Sequence, residues 1–241
     1  MSHAAFELTD VCAHDRGGAT DTHSGASRHF GGIIVGVSDE HEPTPHRDLA
    51  AYDARAVSYD DGWRGRMHHR ISERVCALAA ATAPDARRIL DVGCGTGYLL
   101  RALGQAFPNA SELMGVDPAG DMIRVAGEST VDDRIRFSVA SAESLPSAGA
   151  FDLIVSSTSF DHWRDQRAGL QECARALVPG GHLVLCDQFS ALLAPTLVGT
   201  RRGKARTPSR ATTLARDAGF VDVRWHPVYL VLINALTARK P

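Results

Sequence analysis

The sequence predicts an α/β fold, with a doubly wound and mostly parallel sheet of seven strands in which the last strand is antiparallel. Segments with strand patterns alternate with segments with helix patterns from residue 88 onward, which is typical of a parallel sheet covered on both faces. The last two strands, predicted at 221–227 and 229–237, are too close together for a crossover helix and must pair antiparallel. A glycine-rich loop at Gly93–Gly97 follows the first strand, where such a fold binds its ligand.

The individual elements follow from apolar runs and their periodicities. Strands are predicted at 88–93, 112–117, 134–139, 151–156, 181–187, 221–227 and 229–237. Helices are predicted at 97–107, 119–127, 162–177 and 207–218. Pro118 suits the first turn of the second helix, because a missing N–H does no harm there. The carboxyl ends of the strands would bring four features to one edge of the sheet: the Gly93–Gly97 loop, Asp117, Ser141 and Ser157.

Residues 1–47 differ in composition from the rest of the chain, being rich in Gly, Ser, Thr and His. The histidines of this stretch are His3, His14, His23, His29, His41 and His46. They favour either a metal-binding tail or an unstructured extension. Because no cysteine cluster accompanies them, we predict the extension and no metal site. Residues 48–241 are then predicted to form one domain, which begins with helices over 49–81, where Tyr52, Ala56 and Tyr59 share a helix face.

Composition excludes several functions. The formal net charge is −2 and no basic stripe has interleaved aromatic residues, which argues against a nucleic-acid partner. No apolar run approaches the ~20 residues that span a bilayer, and no secretory signal is recognisable. The five cysteines are scattered without a CxxC pair, which favours reduced thiols and a cytoplasmic location. Nothing in the sequence indicates the oligomeric state.

The spacing of the glycine loop discriminates between cofactors. Gly93, Gly95 and Gly97 would let a ligand approach bare backbone. A dinucleotide fingerprint needs G-x-G-x-x-G, but here the third glycine comes one position early and Tyr98 takes its place. Asp91, two residues before the first glycine, would repel a pyrophosphate and suits an ammonium group.

A second carboxylate completes this pattern. Asp117 stands where the second parallel strand should end, a position from which a carboxylate can accept both hydroxyls of a ribose. S-adenosyl-L-methionine carries an ammonium group, a ribose diol and an adenine but no phosphate. The residues therefore fit this cofactor better than they fit NAD.

Five motifs in the right order resemble those of the class I S-adenosylmethionine-dependent methyltransferases, in particular the small-molecule group with a ubiquinone-methyltransferase-like core. They are Asp91–Gly97, Gly115–Pro118, Ala142–Pro146, Phe151–Ser157 and Leu177–Leu183. The resemblance implies a Rossmann-like fold with an N-terminal helical lid. It also implies methyl transfer to an O, N or C atom of a small organic acceptor. The alternative is a relative that keeps the cofactor and catalyses a non-methylating step such as cyclisation.

The resemblance implies roles for the cofactor ligands, each with a plainer alternative. Asp91 would face the methionine ammonium, or else accept from backbone N–H groups of the glycine loop. Asp117 would bind the ribose, or cap the helix at 119–127, and one carboxylate could do both. Pro118 and Met122 would flank the adenine, although Met122 could equally be a core residue. Ser157 would lie beside them at the end of the fourth strand.

The lid and the adenine loop carry further expected contacts. The Tyr59 hydroxyl would reach the methionine carboxylate, or else lie in water with its ring packed between helices. Many relatives have Asp before Ala-Glu in the adenine loop, and Ser141 holds that position here. The contact to the adenine amino group should therefore be weaker, with backbone groups of Ala142 and the carboxylate of Glu143 as compensating contacts.

The candidate catalytic residues follow the fourth strand. Relatives often show His-His-Trp there, and this chain has Asp161-His162-Trp163. His162 is the candidate general base because it follows the strand end nearest the methyl group. Asp161 would orient an imidazole or bind the substrate. The alternative is that Asp161 caps a helix beginning at Trp163, with His162 exposed in the first turn.

The segment from Phe189 to Pro208 offers a hypothesis about the substrate. Its leucines precede four cations: Arg201, Arg202, Lys204 and Arg206. The segment is either an apolar lid with a basic rim for an acidic substrate or a solvated charged loop.

Overall fold

The computed structural model describes residues 49–193 and 207–241. The helices are α1 (Leu49–Asp53), α2 (Gly62–Thr82), α3 (Tyr98–Ala106), α4 (Gly120–Glu128), α5 (Gln166–Ala176) and α6 (Pro208–Asp217). The strands are β1 (Arg88–Val92), β2 (Glu112–Asp117), β3 (Ile135–Val139), β4 (Phe151–Ser157), β5 (Leu177–Gln188), β6 (Val221–Tyr229) and β7 (Ile233–Arg239). Short 3-10 turns form at Ala56–Ser58 and Phe160–His162. The expected extension over 1–47 and the four cations of 201–206 lie outside the described residues.

In the described part of the chain, the strands form one seven-stranded sheet in the order β3-β2-β1-β4-β5-β7-β6. Neighbouring strands from β3 to β5 pair in parallel, and β7 runs antiparallel to both β5 and β6. The predicted fold class is confirmed. The chain winds outward from β1 in both directions, so the strand order switches between β1 and β4. In such sheets a crevice opens at this switch point, beyond the carboxyl ends of the strands.

The sheet is covered on both faces because its central strands are apolar on both sides. Ile89 and Leu90 of β1 are both fully buried, and they belong to different core clusters. One cluster includes residues of α5 and α6, and the other includes residues of α2 and α3. Consecutive strand residues point to opposite faces, so one run of apolar residues supplies both cores.

The N-terminal helices contact the start of α4. Ala56, Ala119 and Met122 form a small buried cluster against which Tyr52 and Tyr59 pack. The Asp53 carboxylate accepts from the N–H of Asp121 in the first turn of α4, at 3.0 Å. This segment therefore lies beside the crevice, as expected of a lid. No helix within 49–193 or 207–241 combines the length and apolarity needed to cross a bilayer.

Three boundaries differ from the prediction by four residues, and one of them is the start of β7, which lies at Ile233 rather than at 229. The helix predicted at 162–177 begins at Gln166, because the Asp165 carboxylate caps it by accepting from the N–H groups of Arg167 and Ala168. The alternative in which Asp161 caps a helix beginning at Trp163 is therefore wrong. Strand β5 begins at Leu177 rather than at 181, and its register with β4 shifts between Leu177 and His182.

Gly97 is required by the local backbone and by packing. Its φ is 80°, and an added Cβ would lie 2.7 Å from the ring of Phe137. We expect Gly97→Ala to lower the free energy of unfolding by about 2–4 kcal/mol, from backbone strain together with overpacking. Gly127→Ala in α4 is the control, because no atom lies within 4 Å of its added Cβ. Urea denaturation should show that variant unchanged or slightly stabilised, and equal losses in the two variants would contradict this account.

Candidate functional site

A cavity of about 680 Å³ opens at the carboxyl ends of β1, β2 and β4, and we call it the central cavity. Most of the predicted site residues line it: Tyr59, Gly93, Gly95, Asp117, Pro118, Met122, Ser141, Ala142, Glu143, Ser157 and His162. They come from the lid, the glycine loop and the loops after three strands. The fold brings them together because parallel strands end at a common edge.

Asp91 lines a smaller neighbouring cavity, the side cavity, of about 430 Å³. Its side chain is almost fully buried, and neither carboxylate oxygen has a hydrogen-bond partner within the described residues. The alternative in which Asp91 accepts from the glycine loop is therefore wrong. Burial, and next the charge of Asp117, raise the pKa of Asp91 to about 8. A buried carboxylate without a partner is costly, and a ligand cation would compensate for it. The site thus fits the ammonium group of S-adenosyl-L-methionine.

Asp117 is held in place by two backbone groups. Its Oδ2 accepts from the N–H of Gly95 at 3.0 Å, and its Oδ1 accepts from the N–H of Ala119 at 2.9 Å. Ala119 is the residue before α4, so the carboxylate joins the glycine loop to the start of that helix. Asp117 also lines the central cavity. Asp117 thus supports the chain just before α4, whereas the alternative had it capping the helix itself, and it remains placed for the predicted role in ribose binding.

The glycines of the loop have different surroundings. An added Cβ on Gly93 would lie 2.2 Å from Oγ of Ser159. Gly95 has a φ of 52° and only open space around an added Cβ. Gly97, predicted to contact the cofactor, lines neither the central cavity nor the side cavity and packs against Phe137 instead. Close approach of a ligand is therefore possible at Gly93 and Gly95.

The expected adenine side of the central cavity combines apolar and polar groups. Met122 is almost fully buried and also lines the cavity, so the core role and the site role coexist. The Glu143 carboxylate accepts from the N–H of Asp165 at 2.9 Å and so ties this loop to α5. Trp163 also lines the cavity, a position that the sequence analysis did not assign to it. Its indole fits against Gly169, where an added Cβ would lie 2.4 Å from the ring.

The candidate base has a partner that the sequence analysis missed. Nε2 of His162 lies 2.9 Å from the hydroxyl of Tyr52, and the two rings are nearly perpendicular. Both side chains line the central cavity. The predicted helix face did not signal this contact, and the prediction of that face was wrong: Tyr52 lies in α1, whereas Tyr59 follows the separate Ala56–Ser58 turn. His162 lies in the Phe160–His162 turn and is half-buried, not exposed in a helix as the alternative proposed.

Asp161 is not in the lining of either cavity. It is buried, and its backbone N–H donates to Oδ2 of Asp187 at 3.0 Å. Burial raises the pKa of Asp187, which also accepts from the N–H of Gln188. The backbone N–H of Asp161 therefore helps to fix the turn that carries His162.

The lid is connected to the glycine loop by Asp60. One carboxylate oxygen accepts from the Thr96 hydroxyl at 2.8 Å, and the other lies 3.0 Å from Nε2 of His69. The His69 ring stacks on Tyr98, with centroids 3.7 Å apart. Tyr59 lines both cavities, and burial, followed by the charges of Asp60 and Asp117, raises the pKa of its hydroxyl. The hydroxyl therefore stays protonated at neutral pH and can donate a hydrogen bond.

Two residues after β4 were also missed. Thr158 lines both cavities with a φ of 55°, an unusual value for a β-branched residue and one often found at functional sites. Ser159 donates to the carbonyl of Val92 at 3.0 Å and accepts from the indole N–H of Trp163 at 3.2 Å. No sequence pattern signals these contacts, because they depend on how the turn folds back onto β1.

Comparisons with known proteins agree with this geometry. A family model described as a methyltransferase domain matches residues 89–181. The 27-O-demethylrifamycin SV methyltransferase of Amycolatopsis mediterranei is 31% identical over 66% of this chain and 63% of its own length. A malonyl-(acyl-carrier protein) O-methyltransferase of Methylococcus capsulatus is 33% identical over 78% of this chain and 74% of its own length.

Similarity of fold extends further. The crystal structure of the 4+2 cyclase SpnF is 20% identical in sequence and superposes with a TM-score of 0.67, covering 83% of this chain and 97% of that one. At this identity the likeness concerns the fold alone. The two relatives described above are named as methyltransferases, and the family match over residues 89–181 includes Gly93, Asp117 and His162, which line the central cavity. The chain belongs to the class I S-adenosyl-L-methionine-dependent methyltransferases.

Proposed function

We propose that this protein transfers the methyl group of S-adenosyl-L-methionine to a small organic acceptor. The observation that carries the proposal is the pair of carboxylates around the glycine loop. Asp91 is buried with no hydrogen-bond partner among the residues that the structure describes, and Asp117 is fixed by two N–H groups. The two relatives described above are named as methyltransferases, which supports the same activity. The chain spans less than two thirds of the rifamycin enzyme, so the activity of the whole protein is part of this proposal.

The bound cofactor would supply an activated methyl group, and the protein residues would bind, align and shield the reactants. Asp91 would pair with the ammonium group and Asp117 would accept from the ribose hydroxyls. Met122 and Trp163 offer apolar walls for the adenine. Tyr59 would donate from its hydroxyl to the methionine carboxylate.

Tyr52 and His162 would handle the proton of the acceptor. When the Tyr52 hydroxyl donates to Nε2 of His162, its oxygen can also accept from a hydroxyl of the acceptor. The proton lost by the acceptor would thus reach the imidazole through Tyr52. A thiolate or enolate acceptor would need no such base.

We expect His162→Ala to lower kcat by about 100-fold, because a general base contributes roughly 10²–10⁴ in rate. Tyr52→Phe should lower kcat by about tenfold, because the imidazole remains. In both variants the Kd for S-adenosylhomocysteine, measured by calorimetry, should stay within about threefold of the wild-type value. Unchanged turnover and unchanged cofactor affinity in His162→Ala would exclude its role as the base.

Mass spectrometry of products tests the function as a whole. The protein is incubated with S-adenosyl-L-methionine and a panel of small phenols, carboxylic acids and amines. Methyl transfer adds one methyl group to an acceptor and releases an equal amount of S-adenosylhomocysteine. A cyclisation would change the acceptor without added mass and without consumption of the cofactor. Absence of cofactor binding in calorimetry would contradict both activities.

We also infer a cytoplasmic location and no nucleic-acid partner. Cys76, Cys94, Cys173 and Cys186 are all free and buried, which agrees with a reducing compartment. The formal net charge of −2 provides no general attraction to a polyanion.

A further inference from the structure

We propose that the acceptor is an anionic molecule with an aromatic body and that Arg64 binds its carboxylate in a third cavity beside the central one. This inference rests on the proposed methyl transfer and names the class of substrate. The third cavity is a cleft of about 1200 Å³ that is open to solvent, and it lies between the lid, the start of α2 and the ends of β5 and β7. We call it the acceptor cavity.

The position of the acceptor cavity suits the reaction. It shares four lining residues with the central cavity: Tyr52, Tyr59, Thr158 and His162. A molecule in the acceptor cavity therefore reaches the wall where the hydroxyl of Tyr52 meets the imidazole of His162. This wall is where an acceptor hydroxyl would have to lie, between the proposed base and the cofactor site.

The charge of the acceptor cavity favours an anion. Arg55 and Arg64 both line it. Within the described residues, Arg64 has no hydrogen bond and no ion pair, so its planar set of donors is available for a carboxylate. Arg55 donates one hydrogen bond to the carbonyl of Ala51 and lies over the ring of Tyr52. Asp61 is the opposing carboxylate of the lining, and it forms no ion pair with either arginine.

His68, which also lines the acceptor cavity, adds no positive charge. Burial lowers the pKa of His68, which leaves the imidazole neutral at pH 7. Its Nδ1 lies 3.3 Å from the Thr158 hydroxyl, and its ring lies near that of Tyr59. The lining therefore carries two guanidinium groups against the single carboxylate of Asp61, an excess of positive charge.

The remaining lining indicates the shape of the acceptor. Tyr52, Tyr59 and Trp63 present aromatic rings, and Met67, Ile71 and Ile233 are apolar. The Trp63 side chain is 65% exposed, a large unshielded apolar surface at the edge of the cavity. Ligand pockets commonly combine apolar walls with a few charged groups that fix orientation. An acceptor whose aromatic ring packs against these side chains and whose carboxylate binds Arg64 would use both the apolar walls and the charged group.

Calorimetric titration of the full chain saturated with S-adenosylhomocysteine tests the inference. The probes are 4-hydroxybenzoate, 4-hydroxycinnamate and the methyl ester of each, all at pH 7. We expect the acids to bind the wild type about tenfold more tightly than their esters, as one charge-assisted contact provides. Arg64→Gln should weaken binding of the acids about tenfold and leave the esters within about twofold. Arg66→Gln is the matched control, because Arg66 is equally exposed on α2 and lines none of the three cavities.

The outcomes separate this inference from the proposed function. If S-adenosylhomocysteine binds but the acids have no advantage over the esters, the anionic class is wrong and the methyltransferase proposal stands. The inference is also wrong if the acids keep their tenfold tighter binding in Arg64→Gln, or if none of the four probes binds. In both cases the methyltransferase proposal stands. If S-adenosylhomocysteine itself does not bind, the proposed function fails and this inference fails with it.

Discussion

Asp117→Ala should abolish measurable binding of S-adenosyl-L-methionine while the protein remains folded. The wild-type carboxylate is held by the N–H groups of Gly95 and Ala119, with its position already fixed before a ribose arrives. Hydrogen bonds to a charged acceptor contribute about 1.5–3 kcal/mol each, so losing two should weaken binding by about 100-fold or more. Calorimetry measures the affinity, and circular dichroism confirms the fold.

The control for Asp117→Ala is Asp121→Ala. Asp121 is an exposed carboxylate four residues further along, and it pairs with Arg124 on the surface of α4. Its removal changes the net charge by the same amount without touching the central cavity, so the affinity should be unchanged. An affinity of Asp117→Ala within a few-fold of the wild type would show that the ribose binds elsewhere.

Asp91→Asn should weaken cofactor binding by tenfold or more. It should also remove the part of the pH dependence of the unfolding free energy that comes from the Asp91 carboxyl. The wild-type carboxyl has its pKa raised from 3.8 to about 8 by burial and by the nearby charge of Asp117. Asparagine keeps the shape but cannot ionise, so no anion is available to the ammonium group of the cofactor. Asp85→Asn is the control, because Asp85 is exposed and the charge change is the same.

The direction of the pH effect follows from the raised pKa. Between pH 3.8 and pH 8 the unfolded chain has lost the proton of Asp91 whereas the folded protein keeps it. The folded state of the ligand-free wild type is therefore destabilised progressively as the pH rises through this window. At about 1.4 kcal/mol per unit the upper limit of the loss is about 6 kcal/mol. Thermal denaturation over pH 5–8 tests this. The loss of stability with rising pH that comes from Asp91 should be present in the wild type and absent from the Asp91→Asn variant.

Cofactor binding should change with pH in the opposite sense. A bound cation lowers the pKa of Asp91, so binding releases a proton, and the affinity of the wild type should rise from pH 5.5 to pH 7. Titrations in buffers of different ionisation enthalpy count the protons released. Affinity that is flat over this range, together with no proton release, would show that Asp91 does not meet the ammonium group.

The architecture was predictable because the hydrophobic patterns of the segments and the rules of chain connection indicate the same fold. Neighbouring apolar residues such as Ile89 and Leu90 point to opposite faces of the sheet, and burying both of them requires helices on both sides. The short connection predicted near Pro227 left no room for a crossover helix. Strands β6 and β7 are antiparallel as predicted, although their connection comes only after Tyr229. The predicted start of α5 was wrong. Asp161 and Asp165 are both of a residue type that caps helices, and the fold of the turn before α5 decides that Asp165 does so.

Within the site, sequence reasoning was strongest where residue type and chain position jointly define the environment. Asp117 was placed correctly at the crevice because the end of β2 is fixed by the sheet. The partnership of Tyr52 with His162, and of Asp60 with Thr96, joins segments far apart in the chain. No local pattern encodes such contacts, because they arise when the lid packs across the crevice.

The sequence by itself determined the fold class, the glycine loop and the two carboxylates on either side of it, because spacing along a strand and its following loop is a local property. Only the tertiary structure decided that Asp91 has no hydrogen-bond partner in the described part of the chain, that Gly97 faces Phe137, and that Arg64 lies in a cavity beside His162. These facts depend on burial and on contacts between distant segments. Burial is a property of the whole packed chain, and it is burial that gives the carboxylate of Asp91 its altered pKa.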